Sequence, residues 1–290
     1  LAFLKGEKVE KFERPVNDQQ KAEITRMVEF LKKGQVQRGG WRYGEAKEDD
    51  WDISCSQYAA LGLNAARRCG IHVEPAVWGK LLLFGLDKQA KDGPDVKRVE
   101  DVQYDGKNTK VRHAPKPDKA RGWGYKDPWF ISGSMTVAGI AMVATAMDAL
   151  LALESPVEQA KALGVSVGEL PKKVEEVQRS LRDGLAWMAN NFSLTMNPGG
   201  SQIWHYYYLY GLERACVLTD TRWLGEHDWY KQGAAMLVQR QSSDGCWHTG
   251  NVHGSSLEIV DTCFALLFLK RGTVPPKGGG GILTGTGSKQ

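Results

Sequence analysis

The sequence predicts an all-α protein built from repeated helix pairs, and three observations carry this prediction. The pattern Gln-x-x-x-Gly-x-Trp occurs at 35–41 and again at 241–247, and a partial Gly-Trp-Gly-Tyr copy occurs at 122–125. Each copy follows the end of one helical pattern and precedes a helix of small apolar residues. No strand-rich region of any length is present. Helix pairs with a buried inner member are typical of an α/α toroid or solenoid.

The composition is that of an ordinary globular protein, and it argues against two kinds of partner. The chain has 290 residues, of which 42% are hydrophobic and 25% charged, enough for one large domain or two small ones. The net charge of +4 is small and no arginine stripe alternates with aromatics, so we expect no nucleic-acid partner. The most apolar stretch, 135–153, contains Asp148 and predicts a buried inner helix rather than a membrane span.

The cysteines and the first residue leave the compartment open. The five cysteines are an odd number and form no Cys-x-x-Cys pair, so the sequence indicates no disulfide framework. Because the sequence begins with Leu1 rather than Met, we expect its natural start to be missing. A soluble protein is expected, either cytoplasmic or exported.

Eight helices are predicted, and they form four consecutive pairs. Asn17 or Asp18 caps the first helix. Asp52 or Ser54 caps the second, and Pro75 stands in the first turn of the third. The apolar spacing places the pairs at 19–34 with 52–69, 75–91 with 133–153, 172–191 with 201–218, and 228–241 with 257–271. The second helix of each pair is the more apolar or the richer in small residues, which predicts that it lies inside.

The remaining segments set the domain organisation. Residues 1–16 predict an extended lead-in, and 17–273 a single toroid domain. Residues 88–120 are dense in Lys, Asp, Gly and Pro and predict an exposed, irregular insertion with room for a short hairpin. A linker is expected to end near Pro171, and the glycine-rich tail 274–290 to be disordered.

The turns and the helices that follow them resemble a known repeat. Gln-x-x-x-Gly-x-Trp before an Asp-x-(Ser/Thr/Cys)-apolar helix resembles the repeats of squalene–hopene cyclases and of protein prenyltransferase β subunits. The resemblance touches all four helix pairs, most strongly the first and the last, and is closest to the uncharacterised bacterial single-toroid proteins of this superfamily. It implies an (α/α)6 barrel, of which four pairs would form an incomplete ring.

Asp52 and Asp50 are the candidate catalytic residues. The segment 50–55 resembles the Asp-x-Asp-Asp-Thr-Ala motif of class II terpene cyclases, in which the middle Asp, matching Asp52, protonates an alkene or epoxide. Such an acid needs a desolvated cavity that keeps it protonated. Here Ile53 replaces the next Asp, and Ser-Cys replaces Thr-Ala. The competing interpretation, which the helix start favours, is that Asp52 caps its helix and ties down the preceding turn.

Asp261 and Cys263 are candidate metal ligands. The pair resembles the Asp-x-Cys pair that holds zinc in protein prenyltransferases, where a carboxylate, a thiolate and an imidazole leave one position open. The family takes its His from a later repeat, and no His follows His253 here. The repeat alignment places Asp261 where Asp52 stands and favours a second helix cap. We therefore predict no zinc and no other cofactor.

The aromatic residues are candidates for ligand binding. Trp41, Trp123 and Trp247 belong to the turns and are expected to pack between adjacent helix pairs. The helix from Gln202 carries aromatics on more than one side, so part of it is expected to line a central cavity for an isoprenoid chain or a sugar ring. Core packing is the competing interpretation. The candidate ligand-binding residues are Trp204, Tyr207, Tyr208, Tyr210, Trp123 and Trp129.

Three functions follow from these residues. The first is a protein of the cyclase and prenyltransferase type that binds an apolar isoprenoid in the toroid cavity, with or without turnover. The second is a non-catalytic toroid that binds a ligand or a protein, which predicts that Asp52 and Asp261 bond backbone N–H groups at helix starts. The third is a carbohydrate-active α/α barrel, which requires paired carboxylates in an open groove. Substrate and oligomeric state are not readable from the sequence.

Overall fold

The computed structural model describes residues 16–44, 50–104, 109–249 and 257–273, and this part of the chain is mostly helical. Its helices are α1 (Asp18–Gly34), α2 (Ile53–Arg68), α3 (Pro75–Lys88), α4 (Gly133–Leu151), α5 (Pro156–Leu163), α6 (Leu170–Asn190), α7 (His205–Leu218), α8 (Trp229–Arg240) and α9 (Leu257–Lys270). Its short strands are β1 (Asp95–Val96), β2 (Val99–Tyr104), β3 (Thr109–His113), β4 (Asp118–Lys119), β5 (Trp223–Leu224) and β6 (His227–Asp228). The lead-in predicted at 1–16, except residue 16, and the tail at 274–290 lie outside the described residues.

The all-α class is confirmed, and the helices are arranged in a row. α2 packs on α4, α4 on α7, and α7 on α9, so the second helices of the predicted pairs follow one another in chain order. α1, α3 and α8 each pack on the next of these helices, while α6 packs mainly on α4. The described helices do not close into a barrel.

α4 is the centre of this row. It contacts α2, α3, α6 and α7, and seventeen of its nineteen residues are buried. Its Gly, Ala and Ser residues let the four neighbours approach closely, and Ser132 caps it by accepting from Met135 N–H at 3.3 Å. α4 is long and apolar enough to cross a membrane, but 89% of its most apolar window is buried against protein, as predicted for an inner helix.

Three turns share the same set of four hydrogen bonds, although only two of them contain the full Gln-x-x-x-Gly-x-Trp pattern in the sequence. In each, a Trp indole N–H donates to a carbonyl of the preceding helix and a Gln side chain donates to the carbonyl two residues before the Trp. The residue after the Gln donates to the carbonyl one residue before the Trp, and the Trp backbone N–H donates to a Ser or Thr hydroxyl of the next inner helix. The sets are Gln35, Trp41, Ser56; Gln89, Trp123, Thr136; and Gln241, Trp247, Thr262.

The second turn contains the predicted insertion. Gln89 and Trp123 are 34 residues apart, against six in the other two turns, and the intervening chain forms the hairpin β2–β3 and the ribbon β1–β4. The insertion is not wholly exposed. Asp183 on α6 accepts from Lys119 N–H at 2.8 Å and from the Arg121 guanidinium at 2.6 and 2.7 Å, which fixes the end of the insertion to α6.

Two details of the predicted helices are corrected. The linker expected before Pro171 contains α5, which begins with Pro156 behind the Ser155 cap and packs on α3. The helix expected at 201–218 begins as a 3-10 turn over Gln202–Trp204 and becomes α-helical only at His205. The other helix ends lie within three residues of the prediction.

Candidate functional site

Asp52 lies where the first and second turns meet. Its side chain is fully buried, and its Oδ1 accepts from Cys55 N–H at 2.6 Å, so the predicted N-cap of α2 is confirmed. Oδ2 accepts from Arg42 Nη1 and, at 3.1 Å, from the Tyr125 hydroxyl. Both carboxylate oxygens are therefore engaged by donors of the protein itself, and the side chain joins two turns as well as capping a helix.

Arg42 joins the two candidate carboxylates. It follows Trp41 in the first turn, ion-pairs with Asp52 and approaches Asp50 Oδ1 with Nε at 3.4 Å. Its hydrogen bond to Asp52 raises the pKa of the guanidinium. Lys126 Nζ lies 3.0 Å from the same Asp50 oxygen. The two carboxylates are thus neutralised by cations rather than left facing an open groove.

A cavity of about 420 Å³ opens beside this cluster, between α1, the first turn and α2. Apolar and aromatic side chains line most of it, with Arg42 as the charged member. The lining residues used below are Phe30, Leu31, Trp41, Tyr43, Cys55 and Tyr58. Burial, with the charge of Asp52 nearby, raises the pKa of the Cys55 thiol to about 12, so this thiol is not a nucleophile at neutral pH.

The aromatic candidates of α7 are buried or partly buried in the helix row, and none of them lines this cavity. The Tyr208 ring is fully buried and its hydroxyl donates to Ser193 O at 2.9 Å, which is core packing. Tyr207 is buried at the centre of the helix row, where its hydroxyl lies 3.0 Å from Ser54 Oγ. Burial raises the pKa of Tyr207. Tyr210 is partly buried and stacks on Phe264 at 5.5 Å between ring centroids.

The other aromatic candidates differ widely in solvent exposure. Trp123 is fully buried as the indole of the second turn, so it has no surface for a ligand in this conformation. Trp129 is 86% exposed, and Trp204, at the start of α7, is 45% exposed. The sequence placed these residues in one group because all are aromatic and near turns, whereas their positions relative to the core differ.

Asp261 is not a helix cap, and it is not the counterpart of Asp52. α9 begins at Leu257, so Asp261 lies in its second turn, where Oδ2 accepts from Thr249 N–H at 3.0 Å and from Thr249 Oγ1 at 2.5 Å. Thr262 and Ser56 are equivalent, because the hydroxyl of each accepts from the backbone N–H of a turn Trp. Counting back four residues from each makes Glu258, rather than Asp261, the equivalent of Asp52. Burial raises the pKa of Asp261.

Asp261 and Cys263 do not share a face of α9. Residues two apart on a helix point about 200° apart. Asp261 is buried and Cys263 is exposed, in agreement with this geometry. Within the described ranges, no group of three His, Cys, Asp or Glu side chains is placed to hold a metal ion.

Sequence reasoning missed three polar residues of this region. Arg42 and Tyr125 stand one and two residues after turn tryptophans, a spacing that carries no chemical signal by itself. Arg214 lies in the aromatic helix α7 and is 2% exposed, although arginine is rarely buried unless paired. Its burial depends on tertiary packing that the helical pattern does not reveal.

Comparisons with protein-family models, with curated proteins and with solved structures found no match to this chain.

Proposed function

We propose that this protein is an arc of an α/α toroid of the cyclase and prenyltransferase type, and that it binds an apolar, isoprenoid-type molecule without converting it. The order α2–α4–α7–α9 supports the arc, because in a toroid successive inner helices are neighbours. The three equivalent turns support a repeat, because each binds a hydroxyl in the first two turns of the inner helix that follows it.

The cavity beside the first turn is the observation that carries the ligand class. Its volume of about 420 Å³ falls within the range of about 300–1,000 Å³ that small-molecule sites occupy. Phe30, Leu31 and Trp41 supply apolar walls, and burying apolar ligand surface against them contributes about 25 cal/mol per Å². The single charged member, Arg42, is occupied by Asp52 and Asp50.

The environment of Asp52 favours binding over acid catalysis. A general acid must bring its proton within about 2.6–3.2 Å of the substrate atom. Asp52 is fully buried and holds Arg42, Tyr125 and Cys55 N–H with its two oxygens. The pair Asp50 and Asp52 is bridged by Arg42, which also argues against the carbohydrate-active alternative.

Calorimetric titration with farnesol and geranylgeraniol tests the proposal, and Phe30→Ala with Phe130→Ala is a matched pair of variants. Both phenylalanines are largely exposed, at 61% and 80%, but only Phe30 lines the cavity. We expect both alcohols to bind, and Phe30→Ala to weaken binding about three- to tenfold through lost apolar contact. No binding up to the solubility limit, or the same loss with Phe130→Ala, would refute the proposed site.

Incubation with squalene and with isoprenoid diphosphates, followed by mass spectrometry, tests the absence of turnover. We expect no product from the wild-type protein. Asp52→Asn keeps an N-cap side chain but leaves the Arg42 guanidinium without its charged acceptor, so we expect a loss of about 1–3 kcal/mol in unfolding free energy. Product formation that disappears in a folded Asp52→Asn variant would restore the catalytic interpretation of Asp52.

A further inference from the structure

Arg214 is a buried guanidinium at the centre of the helix row. It extends from α7, and its Nη2 donates to Gln57 Oε1 on α2 at 3.0 Å. The ring of Tyr210 lies 4.2 Å from its Cζ, and the ring of Tyr58 lies 5.4 Å away. Gln57 in turn donates to the Tyr207 hydroxyl, so one polar chain joins α2 and α7 in an otherwise apolar layer.

Two nitrogens of this guanidinium have no partner. Nε and Nη1 are buried and make no hydrogen bond in the described part of the chain. A buried arginine is ordinarily paired with a carboxylate, because an unpaired ion loses its hydration without compensation. The guanidinium therefore has unused donors where they are most costly to leave unused.

In the described helices, no carboxylate accepts a hydrogen bond from Arg214. Glu213, the preceding residue, accepts instead from Thr273 N–H at 3.2 Å and from Thr273 Oγ1 at 2.5 Å. On the side of α2, Asp52 is held by Arg42. On α9, Asp261 is held by Thr249. Glu213 acts on Arg214 through its charge without a hydrogen bond, so within the described residues the guanidinium hydrogen-bonds one amide oxygen and otherwise faces the rings of Tyr58 and Tyr210.

We propose that Arg214 is the anchor of a binding site for a small monocarboxylate. One guanidinium neutralises one negative charge, and a buried dianion such as phosphate would keep a second charge without a partner. Nε and Nη1 supply the donors, and the rings of Tyr58 and Tyr210 suit the apolar body of the acid. Tyr58 is 43% exposed while Arg214 is 2% exposed, so displacement of the Tyr58 ring gives the anion its route to the guanidinium. This site shares Tyr58 with the farnesol cavity, but its anchor Arg214 and Tyr210 do not line that cavity.

Nitrogen-15 NMR of the arginine side chains tests the site directly. The Nε–H signal of Arg214 is assigned by its absence in Arg214→Lys, and butyrate and benzoate are the probes. We expect a saturable shift of this signal with either acid and none with butyramide, which has the shape of butyrate without its charge. By calorimetric titration, Arg214→Lys should weaken butyrate binding about 10- to 100-fold, because the charge-assisted hydrogen bonds of the guanidinium are lost.

The control is Arg222→Lys, because Arg222 also lies over an aromatic ring, that of Trp223, but is 75% exposed in its side chain. Its substitution should leave butyrate binding unchanged. A wild-type protein whose Arg214 signal does not move in tens of millimolar butyrate or benzoate would overturn the proposal, and this outcome does not depend on the variant folding. Equal shifts with inorganic phosphate would overturn the carboxylate class. Farnesol titration of the same sample separates this result from the proposed function.

Discussion

Two connections that lead into inner helices hold their loops by different means. The α3–α4 connection uses Trp123, whose indole N–H donates to Gly85 O at 2.9 Å within its own helix pair. The α6–α7 connection has no such tryptophan. There Asn197 crosses to the neighbouring inner helix, where it accepts from Ser134 N–H at 2.9 Å and donates to Ser134 Oγ at 3.1 Å. The Trp123 indole binds its loop to the helix that precedes the loop. The Asn197 amide binds its loop to a neighbouring inner helix.

The first and second turns show how little the loop length matters to the hydrogen bonds of an indole turn. The second turn spans 34 residues from Gln89 to Trp123, against six in the first, yet keeps the same four hydrogen bonds. Loop closure costs about 0.6 kcal/mol for each doubling of length, which amounts to about 1.5 kcal/mol here. Four hydrogen bonds and a buried indole exceed that cost, and the contact of Asp183 with the insertion reduces the freedom of the loop further.

The largest expected effect is that of Trp123→Ala. The indole is fully buried between α4 and α6, where a Cβ on Gly184 would lie 2.8 Å from its Cζ3. We expect the unfolding free energy, measured in urea, to fall by about 3–5 kcal/mol through cavity formation and the unpaired Gly85 carbonyl. Trp223→Ala, at a partly exposed position outside the turns, should cost clearly less. Equal losses would mean that the turn indole has no special role.

Asn197→Ala tests the second means of anchoring and should have a smaller effect. The substitution leaves the buried Ser134 N–H without its acceptor, which costs about 1–3 kcal/mol. Amide hydrogen exchange should accelerate at Ser134 more than along the rest of α4. Asn190→Ala, exposed at the end of α6, is the control and should change stability by less than about 0.5 kcal/mol. Unchanged exchange at Ser134 would contradict the bridging role.

Replacing a glycine by alanine should lower the stability of the protein in one inner helix and raise it in another. A Cβ on Gly139 of α4 would lie 2.6 Å from Trp123 Cγ, so Gly139→Ala is expected to cost about 1–3 kcal/mol through overpacking. A Cβ on Gly62 of α2 would lie 3.5 Å from Leu31 Cδ1, an ordinary contact. Gly62→Ala should therefore stabilise by about 0.5–1 kcal/mol through helix propensity. Thermal unfolding of both variants decides this, and a stabilised Gly139→Ala would mean that α4 and the indole are not tightly packed.

Much of the helical frame could be predicted from the sequence, because capping residues and apolar spacing act locally. Asp52 was correctly placed as a cap, and the turns of Trp41 and Trp247 were found from their shared spacing. Gln89 was missed because the insertion separates it from Trp123, so that no short pattern contains both. α5 was missed because eight residues with mixed polarity give little periodic signal.

The site was less predictable, because it depends on register and on contacts between distant residues. The Asp-x-(Ser/Thr/Cys) pattern made Asp261 the equivalent of Asp52. The hydroxyls that bind the tryptophan backbone N–H groups instead make Glu258 its equivalent. The ion pair of Arg42 with Asp52 and the hydroxyl of Tyr125 join two turns that are about 80 residues apart in sequence. Local pattern could not show that the candidate acid is already bound by the protein itself.

The smallest expected effect concerns the pH dependence of the α6–α7 connection. His205, at the start of α7, is 5% exposed, and its Nε2 lies 3.0 Å from Leu194 O. Burial lowers the pKa of His205 below its usual value of 6.5. The unfolded chain therefore binds the proton more readily than the folded protein, so the contribution to stability is full above about pH 6.5 and is lost as the pH falls below it.

Urea unfolding of the wild-type protein and of His205→Gln from about pH 7.5 to about pH 5, a range that spans the ordinary histidine pKa, measures this difference. The glutamine amide can still donate to Leu194 O but does not titrate. We expect the stability of the wild-type protein to fall relative to the variant as the solution is acidified. Parallel curves would mean that His205 binds its proton equally in both states, and that the connection beside Asn197 is open to water.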